Sequence, residues 1–333
     1  MIDLSQLSPM MQHYMETKKE YPDCVLFYRL GDFYEMFFDD ALTVSKELEI
    51  TLTGKDCGLS ERAPMCGVPF HALDSYLYRL VQKGYKVAIA EQMEDPRQAK
   101  GLVKREVIRV VTPGTITSSQ VLDETKNNYL MGIVYMDGIY GISTADISTG
   151  DFMVTEVDSD RELFDEINKF SPSEIICNNA FYMSGVDMDE LKNRYQVVIS
   201  ALDSRFFGEE SCRRILMEHF KVGALVGLGL EDYATGIIAA GAVMQYIYET
   251  QKSTLEHITT ITPYSTGQYM VIDTSTRRNL ELVETMREKQ KRGTLLWVLD
   301  KTKTAMGARL LRACIEQPLI HRDEIIKRQN AVE

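Results

Sequence analysis

The residues best suited to recognition chemistry lie in one stretch, Val25-Leu26-Phe27-Tyr28-Arg29-Leu30-Gly31-Asp32-Phe33-Tyr34-Glu35-Met36-Phe37-Phe38-Asp39-Asp40. It reads as a buried strand, a Gly-Asp turn, and then an aromatic-rich, acidic helical stretch. Not all of these rings can face inward. Phe33 sits at the turn before the helix settles, where one ring and the Glu35 carboxylate could project together. Taken alone, the two read more simply as a core ring and a solvated acid in the first turn of a helix, and Phe27, Phe37 and Phe38 as core.

Other chemistry is poorly provided for. No Gly-x-x-x-x-Gly-Lys-Ser/Thr occurs, and Gly223-Ala224-Leu225-Val226-Gly227-Leu228-Gly229 lacks the strand-turn-helix setting of a phosphate-binding turn. No Gly-x-Ser-x-Gly is present for a hydrolase elbow. Ser143, Ser148, Ser200 and Ser204 have no histidine in a suitable context, and His219 reads as helix surface. Asp137, Asp146 and Asp151 could in principle converge on divalent ions as in a metal-dependent nuclease or resolvase. Asp137 is more simply the turn residue of Asp-Gly, and Asp151 an exposed strand start. The six cysteines (Cys24, Cys57, Cys66, Cys177, Cys212 and Cys314) form no Cys-x-x-Cys and have no histidine placed to complete a zinc site. Free thiols in a reducing cytosol are the simplest reading. No catalytic residue, metal or cofactor is expected within these 333 residues.

Hydrophobic content of 44% and charged content of 26% are those of a soluble globular protein, and 333 residues suit two or three domains. No charged-then-apolar leader follows Met1, and the longest apolar run, residues 236–246, is too short for a membrane span. A cytoplasmic, nucleoid-associated protein with no membrane contact is expected. The net charge of −12 is uneven: residues 1–120 carry −3, residues 121–270 carry −13 and residues 271–333 carry +4. The acidic middle is unsuited to a polyanion surface, and the two ends remain open to one.

The elements that must position these residues follow from pattern. Ser8-Pro9 opens a helix that ends before Tyr21-Pro22. Cys24 to Leu30 is a strand, Tyr34 to Glu47 a helix, and residues 50–53 a short strand. Residues 54–64 are a polar loop, and Gly67-Val68-Pro69-Phe70-His71 is a rigid turn into a helix over Leu73 to Val81. Tyr85 to Ala90 is a strand, 97–101 a loop, and Val103 to Val111 an extended run. This is a small mixed α/β unit. After a polar linker comes a hairpin over 129–147 with Asp137-Gly138 at its turn, a third strand over 151–156, and then βα units. That order suggests a ribonuclease-H-like α/β layer. The small residues Ala239, Ala240, Gly241 and Ala242 in the helix over 233–248 require a close neighbour. From Thr274 onward the chain reads as helices (274–283, 294–299, 304–316 and 322 to the end), the last lacking a cap, as if a larger helical domain were beginning.

Several of these segments resemble a known family. Phe27-Tyr28-Arg29-Leu30-Gly31-Asp32-Phe33-Tyr34-Glu35-Met36-Phe37 resembles the signature of the bacterial MutS family, which recognises DNA mismatches. Pro64-Met65-Cys66-Gly67-Val68-Pro69-Phe70-His71-Ala72, Val87-Ala88-Ile89-Ala90-Glu91-Gln92 and residues 105–115 are similar to further segments of its mismatch domain, and Asp273 to Glu281 to the start of its core. The resemblance implies a mismatch-recognition domain over 1–115, a linker over 116–127, a connector over 128–255 and the truncated start of a core/lever domain over 256–333. It implies that Phe33 stands where a phenylalanine wedges into the duplex, and Glu35 where a glutamate hydrogen-bonds to the mispaired base. Lys55 falls where many relatives carry an arginine near the DNA backbone; the planar fork is lost, so a looser contact is expected. Met65 is expected beside the minor groove. Partners implied are double-stranded DNA with mismatches or small insertion/deletion loops, a second copy of the full-length protein, and a MutL-type protein at the connector. ATP and Mg²⁺ would belong to an ATPase domain outside these residues.

Physical chemistry suits the pair to that task. An aromatic ring inserted between base steps unstacks them and kinks the duplex, which costs less at a weakened step. A carboxylate is repelled by phosphates, and makes sense only when aimed at a base edge, where it accepts a hydrogen bond or, when protonated, donates one. The basic segment Arg277 to Arg292 could approach DNA or simply be a solvated helix face.

Overall fold

The apolar strand over 24–30 decides the first unit, because it is too apolar to lie anywhere but at the centre of a sheet. In the computed structural model, which describes residues 4–94, 101, 103–118 and 122–332, the chain divides into one unit of residues 1–121 with 247–254 and another of 122–246 with 255–333. The expected loop over 97–101 lies largely outside the described residues.

In the first unit, α1 (Pro9–Glu20) precedes β1 (Cys24–Leu30), β2 (Phe33–Phe37), α2 (Phe38–Leu48), β3 (Thr53–Lys55), β4 (Ala63–Pro69), α3 (Leu73–Gln82), β5 (Lys86–Gln92) and β6 (Arg105–Val111). The strands form one mixed sheet in the order β3-β4-β2-β1-β5-β6, in which only the β1–β5 pair is parallel. Met11 and Tyr14 of α1 pack with Leu26, Tyr28 and Phe37 on one face. Phe27, Tyr34 and Met36 are buried on the opposite face. Asp40, in the first turn of α2, ties three elements together. It accepts hydrogen bonds from the Leu26 amide at 2.9 Å, the Tyr14 hydroxyl at 3.1 Å and the Lys18 ammonium at 2.9 Å. From residues 247–254, Lys252 donates to the Val107 carbonyl at 2.8 Å.

Here the structure corrects the sequence reading. The helix expected from Tyr34 begins at Phe38, and Phe33–Phe37 is a strand paired with β1 and β4. Gly31-Asp32 is thus a two-residue hairpin turn, with Leu30 opposite Phe33 and Gly31 at φ +58°, as the first central position of a type II′ turn requires. Phe38, at φ 52°, turns the chain into α2 without a loop. The strand expected at 50–53 lies at Thr53–Lys55, and Ala63–Pro69 is a strand in place of loop and turn.

The second unit contains β7 (Leu130–Met136), β8 (Ile139–Asp146), β9 (Asp151–Val157), α4 (Asp160–Phe170), β10 (Glu174–Cys177), α5 (Asn179–Tyr182), α6 (Met188–Tyr195), β11 (Val198–Ala201), α7 (Glu209–Phe220), α8 (Ala234–Gln251, whose last turn belongs to the first unit) and β12 (Thr262–Pro263). The order β11-β10-β7-β8-β9-β12, with an antiparallel β7–β8–β9 meander and parallel β10 and β11, is the ribonuclease-H-like arrangement expected. The two-residue β12, parallel to β9, has no signal in the sequence. The close neighbour demanded by α8 is present: a Cβ on Gly141 of β8 would lie 2.4 Å from the Thr235 carbonyl, and one on Gly241 2.3 Å from Cβ of Cys212 in α7.

The chain continues through α9 (Thr274–Asn279), α10 (Leu295–Leu299), α11 (Ala305–Glu316) and α12 (Arg322–Asn330). The helix expected through Val283 stops at Asn279, because Leu282 and Val283 turn inward to a small cluster with Leu296. Among the described residues no helix is long and apolar enough to cross a membrane.

Candidate nucleic-acid interface

Alternation along β2 places Phe33, Glu35 and Phe37 on one face of the first sheet. Register carries that face across the neighbouring strands: Phe33 opposes Pro69, Glu35 opposes Gly67, Phe37 opposes Met65, and Met65 in turn opposes Thr53, two residues before Lys55. All four residues singled out from the sequence, Phe33, Glu35, Lys55 and Met65, therefore share a face. Helix α1 covers only its inner end, where Tyr14 meets the Phe37 ring edge-on at 5.0 Å. At the hairpin tip Leu30 still packs on the core cluster of Tyr14 and Phe37, but Phe33 is 45% exposed.

Electrostatics link the four further. The Lys55 ammonium donates to Glu35 Oε2 at 2.5 Å and lies 5.6 Å from the centre of the Phe37 ring. The Glu35 side chain is 16% exposed and that of Lys55 33%. Gly67 leaves room beside them, since a Cβ there would lie 3.5 Å from Cγ of Glu35 and 3.8 Å from the Phe33 ring. The result is a projecting aromatic ring next to a carboxylate whose charge is neutralised by the adjacent Lys55 ammonium. Such a surface can stack on a base and offer an acceptor to its edge without confronting phosphates with bare negative charge.

A brace on the opposite face was not recognised in the sequence. The Phe70 amide donates to the Asp32 carbonyl at 2.9 Å, and Arg29 Nε donates to the Gly31 carbonyl at 2.5 Å. The Arg29 guanidinium lies 4.1 Å over the Phe70 ring and pairs with Glu91, which accepts the Tyr34 hydroxyl at 2.6 Å. Burial, and next the Glu91 carboxylate, push the Tyr34 phenol up to about 12. An arginine inside an apolar strand was the one available sign. Phe70 is itself 43% exposed beside the turn.

The carboxylates weighed for metal chemistry do other work. Asp146 is fully buried and accepts the Asn128 amide at 3.0 Å and the Ser148 amide and hydroxyl at 2.8 and 2.7 Å. Asp137, at φ 52°, forms the β7–β8 turn, and Asp151 accepts from Asn127 at 3.0 Å. Among the described residues no group of three His, Cys, Asp or Glu is placed to hold a metal ion. The nuclease reading has no support. The basic segment 277–292 is divided: Arg277 points inward to Glu316, Lys289 and Lys291 pair with Glu284 and Asp300, and Arg278, Arg287 and Arg292 are exposed.

Comparison with known proteins places this geometry. Residues 8–120 match the family MutS domain I, residues 128–259 MutS domain II and residues 275–333 MutS domain III. The chain belongs to the MutS family. It is 64% identical over 329 residues to the DNA mismatch repair protein MutS of Lachnoclostridium phytofermentans, and 54% identical over 332 residues to that of Acetivibrio thermocellus. The MutS of Clostridium tetani is 49% identical over 330 residues. These alignments cover 98–99% of this chain but 35–38% of the relatives, so the chain spans a little over a third of their length. The MutS domain I match contains the whole of the face carrying Phe33, Glu35, Lys55 and Met65.

Proposed function

We propose that this chain senses mispaired or unpaired bases in double-stranded DNA, with Phe33 as the inserted ring and Glu35 as the group that tests the base edge. The observation that carries the reading is the exposed Phe33 ring beside a partly covered carboxylate, on one sheet face next to a braced hairpin tip. Lys55 holds Glu35 before DNA arrives and then turns toward a phosphate, a contact looser than an arginine's. Met65 supplies apolar surface on the minor-groove side. In this reading residues 1–115 sense, 116–127 link, 128–255 connect and 256–333 open a helical core. Membership of the MutS family supports a longer protein that works as a homodimer in the cytoplasm and at the nucleoid, that meets a MutL-type partner through the connector, and that hydrolyses ATP with Mg²⁺ in a domain outside these residues.

Fluorescence anisotropy tests this with G·T and single-unpaired-T heteroduplexes against homoduplex, using protein of the relatives' full length. Base–aromatic stacking is worth roughly 1–3 kcal/mol. Phe33→Ala should therefore weaken heteroduplex binding by roughly 5- to 150-fold, and homoduplex binding by less than about 2-fold. An unchanged ratio between the two duplexes would refute the wedge.

A further inference from the structure

The second unit holds a cavity of about 720 Å³ between the C-terminal ends of α4 and α6 and the helices α9 and α11. Its lining is far more basic than the acidic segment on one side of it, with eight Lys or Arg against two Glu. Half of these cations are engaged elsewhere. Lys169 pairs with Glu166, Arg194 with Glu190 and Lys289 with Glu284, and Arg309 donates to the Glu124 carbonyl.

Arg277 and Arg312 are different. Both guanidinium groups share one carboxylate, Glu316, at the long distances of 3.5 and 3.6 Å, and their side chains are only 13% and 17% exposed. In each the Nε is buried without a hydrogen-bond partner. A buried donor left unmade is costly, and more so on a charged group. The trio thus carries a net charge of +1 and two unfilled donors. Arg278 stands exposed on the same wall. Burial also pulls the Arg277 guanidinium below its ordinary range. What would satisfy all of this is a compact, multiply charged anion with several acceptor oxygens, which guanidinium forks bind in two-point fashion.

We propose that this cavity is a binding site for a small oligophosphate, either inorganic or the phosphate tail of a nucleotide, held by Arg277 and Arg312 with Arg278 at the entrance. The site shares no residue with the Phe33 face and does not depend on the reading of that face.

Isothermal titration of the 333-residue chain with sodium tripolyphosphate at low ionic strength is the test. One equivalent should bind. Arg277→Gln and Arg312→Gln should each weaken binding about 10-fold or more, and Arg278→Gln severalfold. Glu316→Gln should tighten it severalfold, because the competing carboxylate charge is gone; a purely structural role for Glu316 predicts no such gain. Arg213→Gln, on the exposed face of α7, should leave affinity unchanged. A nucleoside triphosphate binding as tightly or more tightly assigns the site to nucleotide tails; weaker binding assigns it to the inorganic anion. Absence of tripolyphosphate binding by the unaltered chain overturns the proposal. So does equal affinity among the folded Arg277, Arg312 and Glu316 variants.

Discussion

Breaking the Lys55–Glu35 pair separates its role in the fold from the role in recognition proposed for it. The groups lie 2.5 Å apart, with Glu35 16% and Lys55 33% exposed. Partial cover makes the pair stronger than a surface ion pair, and solvent at the lysine end limits it to about 1 kcal/mol net. Lys55→Gln should therefore lower unfolding free energy by about 1 kcal/mol in urea, and the double variant Lys55→Gln/Glu35→Gln should lose less than the two single changes added together. On DNA the signs diverge. In the proposed complex, a carboxylate about 8 Å from a phosphate would be repelled by about 0.5 kcal/mol in a water-like dielectric. With one or two phosphates at that range, Glu35→Gln should accordingly raise homoduplex affinity roughly 2- to 5-fold. The same change replaces a charged acceptor by a neutral one at the base edge, so heteroduplex binding should gain less and the discrimination ratio should fall. Lys55→Gln should weaken both duplexes severalfold and flatten the dependence of log affinity on log salt by about 0.9. Anisotropy titrations at three salt concentrations supply every quantity needed. If Glu35→Gln leaves the heteroduplex-to-homoduplex ratio unchanged, Glu35 does not test the base and the pair is a structural contact only.

Two further outcomes concern the scaffold. Gly141→Ala should destabilise the second unit by about 1–3 kcal/mol or more by overpacking, because the added Cβ would sit 2.4 Å from the Thr235 backbone, which cannot rotate away; chemical denaturation checks this. Stability should also fall as pH rises from 10 toward 12, because the Tyr34 phenol, raised to about 12 in the fold, ionises near 10 once unfolded, so the folded state holds the extra proton in that window. Tyr34→Phe should reduce that slope in denaturation curves taken across the window.

The hairpin β7–β8 was legible because Asp137-Gly138 needs two left-handed residues, and both are found at φ 52° and 84°. The crowding around α8 was legible because Gly241 and its alanine neighbours leave no other use for their missing volume. Strand β2 was not. A strand reveals itself by alternation, and Phe33-Tyr34-Glu35-Met36-Phe37 alternates poorly because the sheet is covered on both faces: Tyr34 and Met36 are buried on one, and Phe37 under α1 on the other. Aromatic and acidic residues followed by Asp39-Asp40 then imitate a helix start. The candidate site was half legible. Phe33 and Glu35 adjoin in sequence, but the partnership of Glu35 with Lys55 exists only because β4 lies between β3 and β2, an order that no local pattern encodes. Arg277 read as part of a basic helix face, and its inward turn depends on Glu316, 39 residues away.

Moving Phe33 from a helix start to a hairpin strand alters what the ring can do. At a frayed helix terminus, part of the energy of pressing a ring against a base pair would go into bending the chain. In β2 the residue is held by β1 on one side and β4 on the other, and the turn before it is fixed by Phe70 and Arg29. The protein side is then stiff, and the ring keeps only its own two torsions. Any compliance must come from the duplex, so the energy of insertion follows how easily a given base step unstacks. In the wedge proposed here, a stiff mount would allow a single phenylalanine, with no code for individual bases, to separate a weakened step from a sound one. Loosening that mount at Arg29 should erode discrimination even though the Phe33 ring is untouched.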